Sequence, residues 1–498
     1  MTFTRRRFLT TTAGAAAAMV LPPFRLARAD ADPFARLDAT AQAALVRSGE
    51  VTPLELVDAA IARIERLDPK LNAFVSTCFE RAREQAQAPL PDGPFRGVPY
   101  AIKDLSDYEG EPTTMGSRLF EHTIAKRDNG IVERARAAGV VILGKTNTPE
   151  FGLLATTESE LFGPAHNPWN LERTTAGSSG GAAAAVASGM LPFAQASDGG
   201  GSIRNPASAC GLVGLKPTRA RTYSIGEPLP GDIAVRLCLS RSVRDTARML
   251  AASEVVDNPA LSAVGFVDGP AKQRLKVGFT TTNALGRAPD PEVAAALRET
   301  AVRCQQLGHT VVEAAFPFDG EEFMHHFISV WASIPGKLEA NAWLVGLMQF
   351  RFVRARDVLE PWTLGLAKLH RERGPESVER AVAYFGEVGR AYDAFFEEHD
   401  VQLTPVMGAP AIPIGEQAPD VPFDTLYERV VEYSAYTPPH NAAGTPAISL
   451  PLSMSSSGLP IGSQFAAKRG GERTLLQLAY EFEQAHPWAG RRPPNNAF

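Results

Sequence analysis

Two glycine-flanked serine clusters stand close together in the chain, Gly177-Ser178-Ser179-Gly180-Gly181 and Asp198-Gly199-Gly200-Gly201-Ser202-Ile203-Arg204. Three successive glycines before a serine let several backbone N–H groups converge on one small space. An oxyanion needs such donors as a carbonyl becomes tetrahedral, and losing one typically costs ~3–4 kcal/mol. Gly199, Gly200 and Gly201 are the candidate donors, together with the N–H of Ser202, whose hydroxyl lies beside them. Serine is a poor nucleophile without an adjacent base. No histidine is obviously placed for that task, and the candidate is Lys103, which ends the apolar run Val98-Pro99-Tyr100-Ala101-Ile102. A lysine works as a base only when uncharged, which at pH 7 takes roughly 4–5 kcal/mol of differential desolvation. The plainer alternatives are a surface lysine paired with Asp104, which composition alone favours, and serine clusters that only shape turns.

Two other strings suggest different chemistry and fail on context. Gly139-Val-Val-Ile-Leu-Gly144-Lys145-Thr146 fits a phosphate-binding loop letter for letter. That mechanism needs a polar loop and a helix starting at the lysine, whereas Val140–Leu143 reads as a buried strand and Pro149 follows in a turn. Gly177-Ser178-Ser179-Gly180-Gly181 also matches a nucleophile elbow centred on Ser179, with His440 downstream, which would make an α/β-hydrolase-like esterase. The elbow should follow a buried strand, and Asn170–Thr175 reads as too polar for one. The nine histidines are scattered without ligand spacing, so a metal is not expected.

The elements that must position these residues alternate. Phe34–Ser48 is helical in pattern, and Thr52-Pro53-Leu54-Glu55 is a capping box with proline at the first helical position. Leu54, Val57, Ile61, Ile64 and Leu67 continue it as a buried stripe. Helices are expected at Glu133–Ala138, Pro291–Leu307 and Glu472–Gln484, with strands at Val140–Leu143, Leu275–Phe279, 309–313 and 401–404. This alternation predicts an α/β fold, a mixed sheet between helical layers. Residues 30–498 read as one catalytic domain with a variable helical section over 319–400.

The full chain of 498 residues carries a net charge of −5. Its first 29 residues hold five arginines and no acid, so removing them takes the charge to −10. That balance argues against nucleic acid or an anionic membrane surface as the main partner. Cys78, Cys210, Cys238 and Cys304 are far apart, which speaks against a disulfide framework or a zinc site. Thr4-Arg5-Arg6-Arg7-Phe8-Leu9, the apolar stretch Ala13–Leu21 and Ala27-Arg28-Ala29 follow the order of an export signal. The arginines before Phe-Leu resemble a twin-arginine signal, though Thr10 stands where lysine is frequent. Residues 1–29 are therefore read as an address for the twin-arginine machinery, giving a periplasmic or secreted protein. No segment reaches the ~18 apolar residues of a membrane span.

Taken together, the strings resemble the amidase signature family. The likeness runs through Gly97-Val-Pro-Tyr-Ala-Ile-Lys103-Asp104, Gly144-Lys-Thr-Asn147 with Glu150-Phe-Gly152, Phe162-Gly-Pro with Asn167-Pro-Trp169, Ala176–Gly181 and Asp198–Thr218. It resumes in Asn441–Pro451 and in Gly458–Gly462 with Gln464, and is weakest between about 255 and 400. Within the family, Asp38–Asn72 and Met454–Arg492 are most similar to 6-aminohexanoate-cyclic-dimer hydrolases. The resemblance implies a cofactor-free amidase acting on a small-molecule amide. Ser202 would be its nucleophile and Lys103 its base, with Ser178 bridging them after a cis peptide. Gly199, Gly200, Gly201 and Ser202 would then form the oxyanion hole, supported by Ser179, Asp198 and Arg204. Two departures stand out: Ala176 replaces a usual glycine, and Gly199 stands where threonine or a branched residue is common. Substrate contacts are expected between Phe318 and Pro439, where Trp331, Trp343, Phe350, Phe352 and Trp362 offer apolar surface, although core packing is the plainer role for most of them. The competing readings are the amidotransferase subunit of tRNA charging, which export disfavours, and a non-catalytic binding protein. Oligomeric state is left open.

Overall fold

The computed structural model describes residues 32–223 and 232–498. The expected export segment, residues 1–29, lies outside them. Two sheets organise the chain. The larger has eight strands in the order Thr310–Glu313, Lys276–Phe279, Val401–Pro405, Pro460–Ala467, Ala447–Met454, Val213–Lys216, Val235–Ser240, Phe193–Asp198. The first three run parallel and every later neighbour is antiparallel, so the sheet is mixed. All eight residues of Pro460–Ala467 are buried, which requires cover on both faces of the sheet.

The smaller sheet holds Phe74–Thr77, Val141–Thr146 and Pro99–Lys103. It approaches the larger one where the Lys103 N–H donates to Gln195 Oε1 at 2.9 Å, so a side chain joins the two sheets at this point. Gly144, Lys145 and Thr146 lie inside a fully buried strand, and Lys145 Nζ is held by Asp104 at 3.2 Å and by the Pro112 carbonyl at 2.9 Å. A phosphate loop is therefore not formed.

The expected helices are present with small shifts. The first runs Ala39–Arg47 rather than from Phe34, because the Asp38 carboxylate accepts from the Ala41 N–H and sets the start there. Thr52 and Glu55 close the capping box that begins Pro53–Leu71. The section 319–400 is helical: Gly320–Met348, Ala355–Val358, Pro361–Arg373 and Glu376–Glu398. Asn170–Thr174, read from sequence as too polar for a strand, does form one. It pairs with His166–Asn167 in a two-stranded ribbon, with a single bridge from Arg173 to Pro413, and its exposed positions alternate, so no buried strand leads into Ser179. Cys78 is half-buried and the other three cysteines are buried, all as free thiols.

Candidate active site

Each serine cluster sits at a turn into a buried helix. Ser178 and Ser179 precede Gly180–Ala187, whose glycines, alanines and valine are all buried, and the Gly177–Ser178 peptide is cis. Ser202 follows the Phe193–Asp198 strand and precedes the helix Arg204–Cys210. Lys103 ends the fully buried strand Pro99–Lys103 and is itself inaccessible to solvent. Lys103 thus meets serines 75 to 94 positions later in the chain.

Lys103 Nζ lies 2.7 Å from Ser178 Oγ, 3.0 Å from Ser179 Oγ and 3.1 Å from Ser197 Oγ. Among the described residues no carboxylate pairs with it. Burial pushes its pKa well below the ordinary lysine value; Asp198 opposes this and Arg236 adds to it. An uncharged amine has two N–H donors and one lone pair, and its three hydroxyl neighbours accommodate that inventory. Ser179 O–H donates to the Ser197 carbonyl at 3.2 Å, so its oxygen accepts from the amine. With Ser197 Oγ taking the second N–H, the lone pair is left facing Ser178, whose O–H can donate to it.

The second cluster is held by a fully buried ion pair. Arg204 Nε and Nη2 each donate to the Asp198 carboxylate at 2.9 Å. Arg204 also donates to the Thr437 carbonyl, Gln464 Oε1 and Asn441 Oδ1, while Asn441 Nδ2 reaches both the carbonyl and the carboxylate of Asp198 at 3.0 Å. Arg204 beside it holds the Asp198 carboxyl far below the usual range despite burial. The same carboxylate accepts from the N–H of Gly201 at 2.7 Å and of Ile203 at 3.2 Å. This corrects one expectation: the Gly201 amide is spoken for. The amides of Gly199, Gly200 and Ser202 have no acceptor among the described residues. Gly201 serves instead through its shape, with φ at +137° and room for no β-carbon against Thr437 Oγ1.

Ser202 is 7% exposed, and its hydroxyl makes no hydrogen bond among the described residues. It opens with Gly177 and Gly200 onto a cleft whose walls include Leu153, Phe327, Ile328, Trp331, Trp362 and Tyr427. Among the described residues no charged side chain lines this cleft. Of the five aromatics expected to meet substrate, Trp331 and Trp362 do line it. Trp343, Phe350 and Phe352 instead face solvent at 60%, 99% and 104% exposure, neither in the cleft nor in the core. Ser179 is occupied by Lys103 and Ser197, and His440 Nδ1 pairs with Thr445 Oγ1, so the elbow reading has no triad.

Sequence reasoning passed over Gln195 and Ser197, which hold Lys103, and Thr437, which donates to the Gly200 carbonyl at 2.6 Å. Ser197 adjoins Asp198 and was within reach of inspection. Thr437 lies more than 230 residues from the loop it fixes.

The Amidase family model matches residues 55–476. The chain belongs to the amidase signature family. Amidase signature enzymes hydrolyse carboxylic amides through a Ser-Ser-Lys triad, and this chain is an amide hydrolase. It is 39% identical over 494 residues to the 6-aminohexanoate-cyclic-dimer hydrolase of Paenarthrobacter ureafaciens, covering 92% of this chain and 96% of that one. It is 32% identical over 481 residues to an acylamidase of Rhodococcus erythropolis, covering 92% and 98%. A solved 6-aminohexanoate cyclic dimer hydrolase superposes with a TM-score of 0.84 at 35% identity, over 93% of this chain and 99% of that chain. A bacterial aryl acylamidase gives 0.81 at 25% identity, over 92% and 98%.

Proposed function

We propose that Ser202 is the nucleophile, Lys103 the base and Ser178 the proton relay between them, acting on an uncharged, largely apolar amide. The observation that carries this reading is the fully buried Lys103 amine, its pKa pushed down by burial and its nitrogen ringed by three serine hydroxyls. Lys103 takes the Ser178 proton, Ser178 takes the Ser202 proton, and Ser202 Oγ bonds to the carbonyl carbon. The carbonyl electron pair moves to oxygen, where the amides of Gly199, Gly200 and Ser202 receive it. As the C–N bond breaks, the proton returns through Ser178 to the leaving nitrogen, leaving an ester on Ser202. Water then releases the acid by the same steps. The Ser178–Ser202 contact closes in the substrate complex, since catalytic hydrogen bonds are commonly loose before substrate arrives.

The cleft supports an uncharged substrate because its described walls offer no countercharge to an ammonium or carboxylate. A cyclic aminohexanoate-type amide fits that demand, since its amine and acid are both tied up in amide bonds. Linear aminohexanoate amides carry free charges and fit less well. The same absence of charge counts against an amidotransferase subunit working on an amino-acid amide. Turnover of a panel of aryl, aliphatic and cyclic amides tests the reading. Hydrolysis of neutral amides, abolished by Ser202→Ala, is expected; hydrolysis undiminished in that variant would overturn it. The same proposal places the enzyme outside the cytoplasm, on the strength of Thr4–Leu9 and Ala27-Arg28-Ala29. Replacing Arg5, Arg6 and Arg7 by lysine should then leave it in the cytoplasmic fraction.

A further inference from the structure

The wall facing Gly199 is the indole of Trp331. A β-carbon at Gly199 would lie 3.3 Å from Cζ3 and 3.6 Å from Cη2 of Trp331. One at Gly200 would lie 3.2 Å from Phe327 Cζ and 3.6 Å from Trp331 Cζ3. Neither glycine lies in the left-handed region of φ, so the backbone conformation does not demand glycine at either place. A β-carbon at either would press on these rings, which would have to give by a few tenths of an ångström. The outer edge of the indole rests on the backbone of the two glycines whose amides face the reacting carbonyl.

The indole is held there by two contacts. Its Nε1–H donates to the Leu153 carbonyl at 3.2 Å, which also receives the Trp362 Nε1–H at 3.2 Å. Phe327, one turn earlier on Gly320–Met348, stacks on it at 5.6 Å between centroids and 23° between planes. Trp331 therefore projects from the helical section onto the oxyanion loop, and it shares the cleft with Ser202 and Gly200.

We propose that Gly199 and Trp331 form one specificity element. The missing side chain at 199 admits the indole, and the indole edge is the wall against which the substrate's acyl chain, next to the scissile carbonyl, is measured. This rests on Ser202 being the nucleophile, and it goes further by naming what sets the acyl length. A wall of this kind discriminates by about 10- to 200-fold for one methylene. Trp331→Ala removes the wall. Gly199→Val drives the indole into the cleft. Combining the two gives the valine the space that the indole vacates.

The test is kcat/KM for acyl p-nitroanilides of two to ten carbons, with the single-turnover deacylation rate for each chain length. In Trp331→Ala the preference for long over short chains should rise at least tenfold, in acylation and deacylation alike. Gly199→Val should lose at least tenfold on medium chains, and the double variant should recover most of that loss. Trp331→Phe keeps the stack on Phe327 and should give an intermediate profile; it carries the test if the alanine variant does not fold. An unchanged profile, a deacylation rate blind to the substitutions, or strictly additive losses in the double variant would overturn the inference. Labelling of the unmodified protein by a small fluorophosphonate separates the two levels. Failure to label Ser202 overturns the nucleophile assignment and this inference together, whereas labelling with an unchanged chain-length profile overturns only the inference.

Discussion

Replacing Lys103 by methionine separates catalysis from stability. Holding any lysine uncharged at pH 7 costs about 4–5 kcal/mol relative to water, because its ordinary pKa is ~10.4 and each unit is ~1.36 kcal/mol. Methionine removes that cost and keeps most of the volume. Against it stand the hydroxyls that lose the amine. Ser179 keeps its bonds to the Ser197 carbonyl and N–H, so Ser178 and Ser197 are the two left short. At roughly 1–3 kcal/mol for each unsatisfied group the loss is about 2–6 kcal/mol, close to the gain. The folded protein should therefore stay within about 3 kcal/mol of the parent in urea denaturation at pH 7. The reaction has no such compensation: losing the base should lower kcat by at least ~10³-fold, within the range for general base catalysis. The pH dependence adds a sign. Burial lowers the Lys103 pKa in the folded state, so below the ordinary lysine pKa the unfolded chain binds one more proton. This lysine's contribution to stability therefore improves as pH rises from its folded pKa towards ~10.4, at about 1.36 kcal/mol per unit, and the methionine variant should lack that slope. Retention of kcat within tenfold, or an identical pH slope in both proteins, would refute the reasoning.

Three further outcomes are expected. Gly201→Ala puts a β-carbon 2.3 Å from Thr437 Oγ1 at a φ of +137°, so kcat/KM should fall at least ~100-fold through displacement of the donor loop; a loss under tenfold in steady-state kinetics would count against it. Asp198→Asn leaves the buried Arg204 charge uncompensated and should cost ~3–5 kcal/mol in denaturant titration, with a loss below ~1 kcal/mol contradicting the assignment. Burial, with Glu150 nearby, pushes Glu360 up to about 9. The folded state thus holds a proton that the unfolded chain releases above ~4.3, and this group's contribution to stability falls as pH rises towards 9. Glu360→Gln removes that fall, so its melting temperature relative to the parent should climb between pH 5 and 9; a constant difference would refute the shift.

Much of the site was legible because its parts are local. Ser178 and Ser202 announce themselves by their glycines, and Lys103 by ending an apolar run that is indeed a buried strand. The helix from Pro53 was readable because Thr52 and Glu55 are only three positions apart. What was hidden is non-local. Thr437, Asn441 and Gln464 reach Gly200 and Arg204 across more than 230 positions, and no periodicity encodes that. The aromatics of the helical section mislead for a related reason. Composition marks Trp331, Trp343 and Phe350 alike, and only the fold decides that the first lines the cleft while the others face solvent. The Gly201 amide shows a subtler limit. Three glycines in a row suggest three free donors, yet one is bound by the carboxylate three residues earlier.

The most direct measurement is rapid acid quench of a slowly deacylating amide or its ester analogue, followed by peptide mass spectrometry. The account predicts an acyl increment on Ser202 alone, formed at least ~10³-fold more slowly in Lys103→Met. An acyl group on Ser179, or on Ser202 at an undiminished rate without the amine, would contradict it.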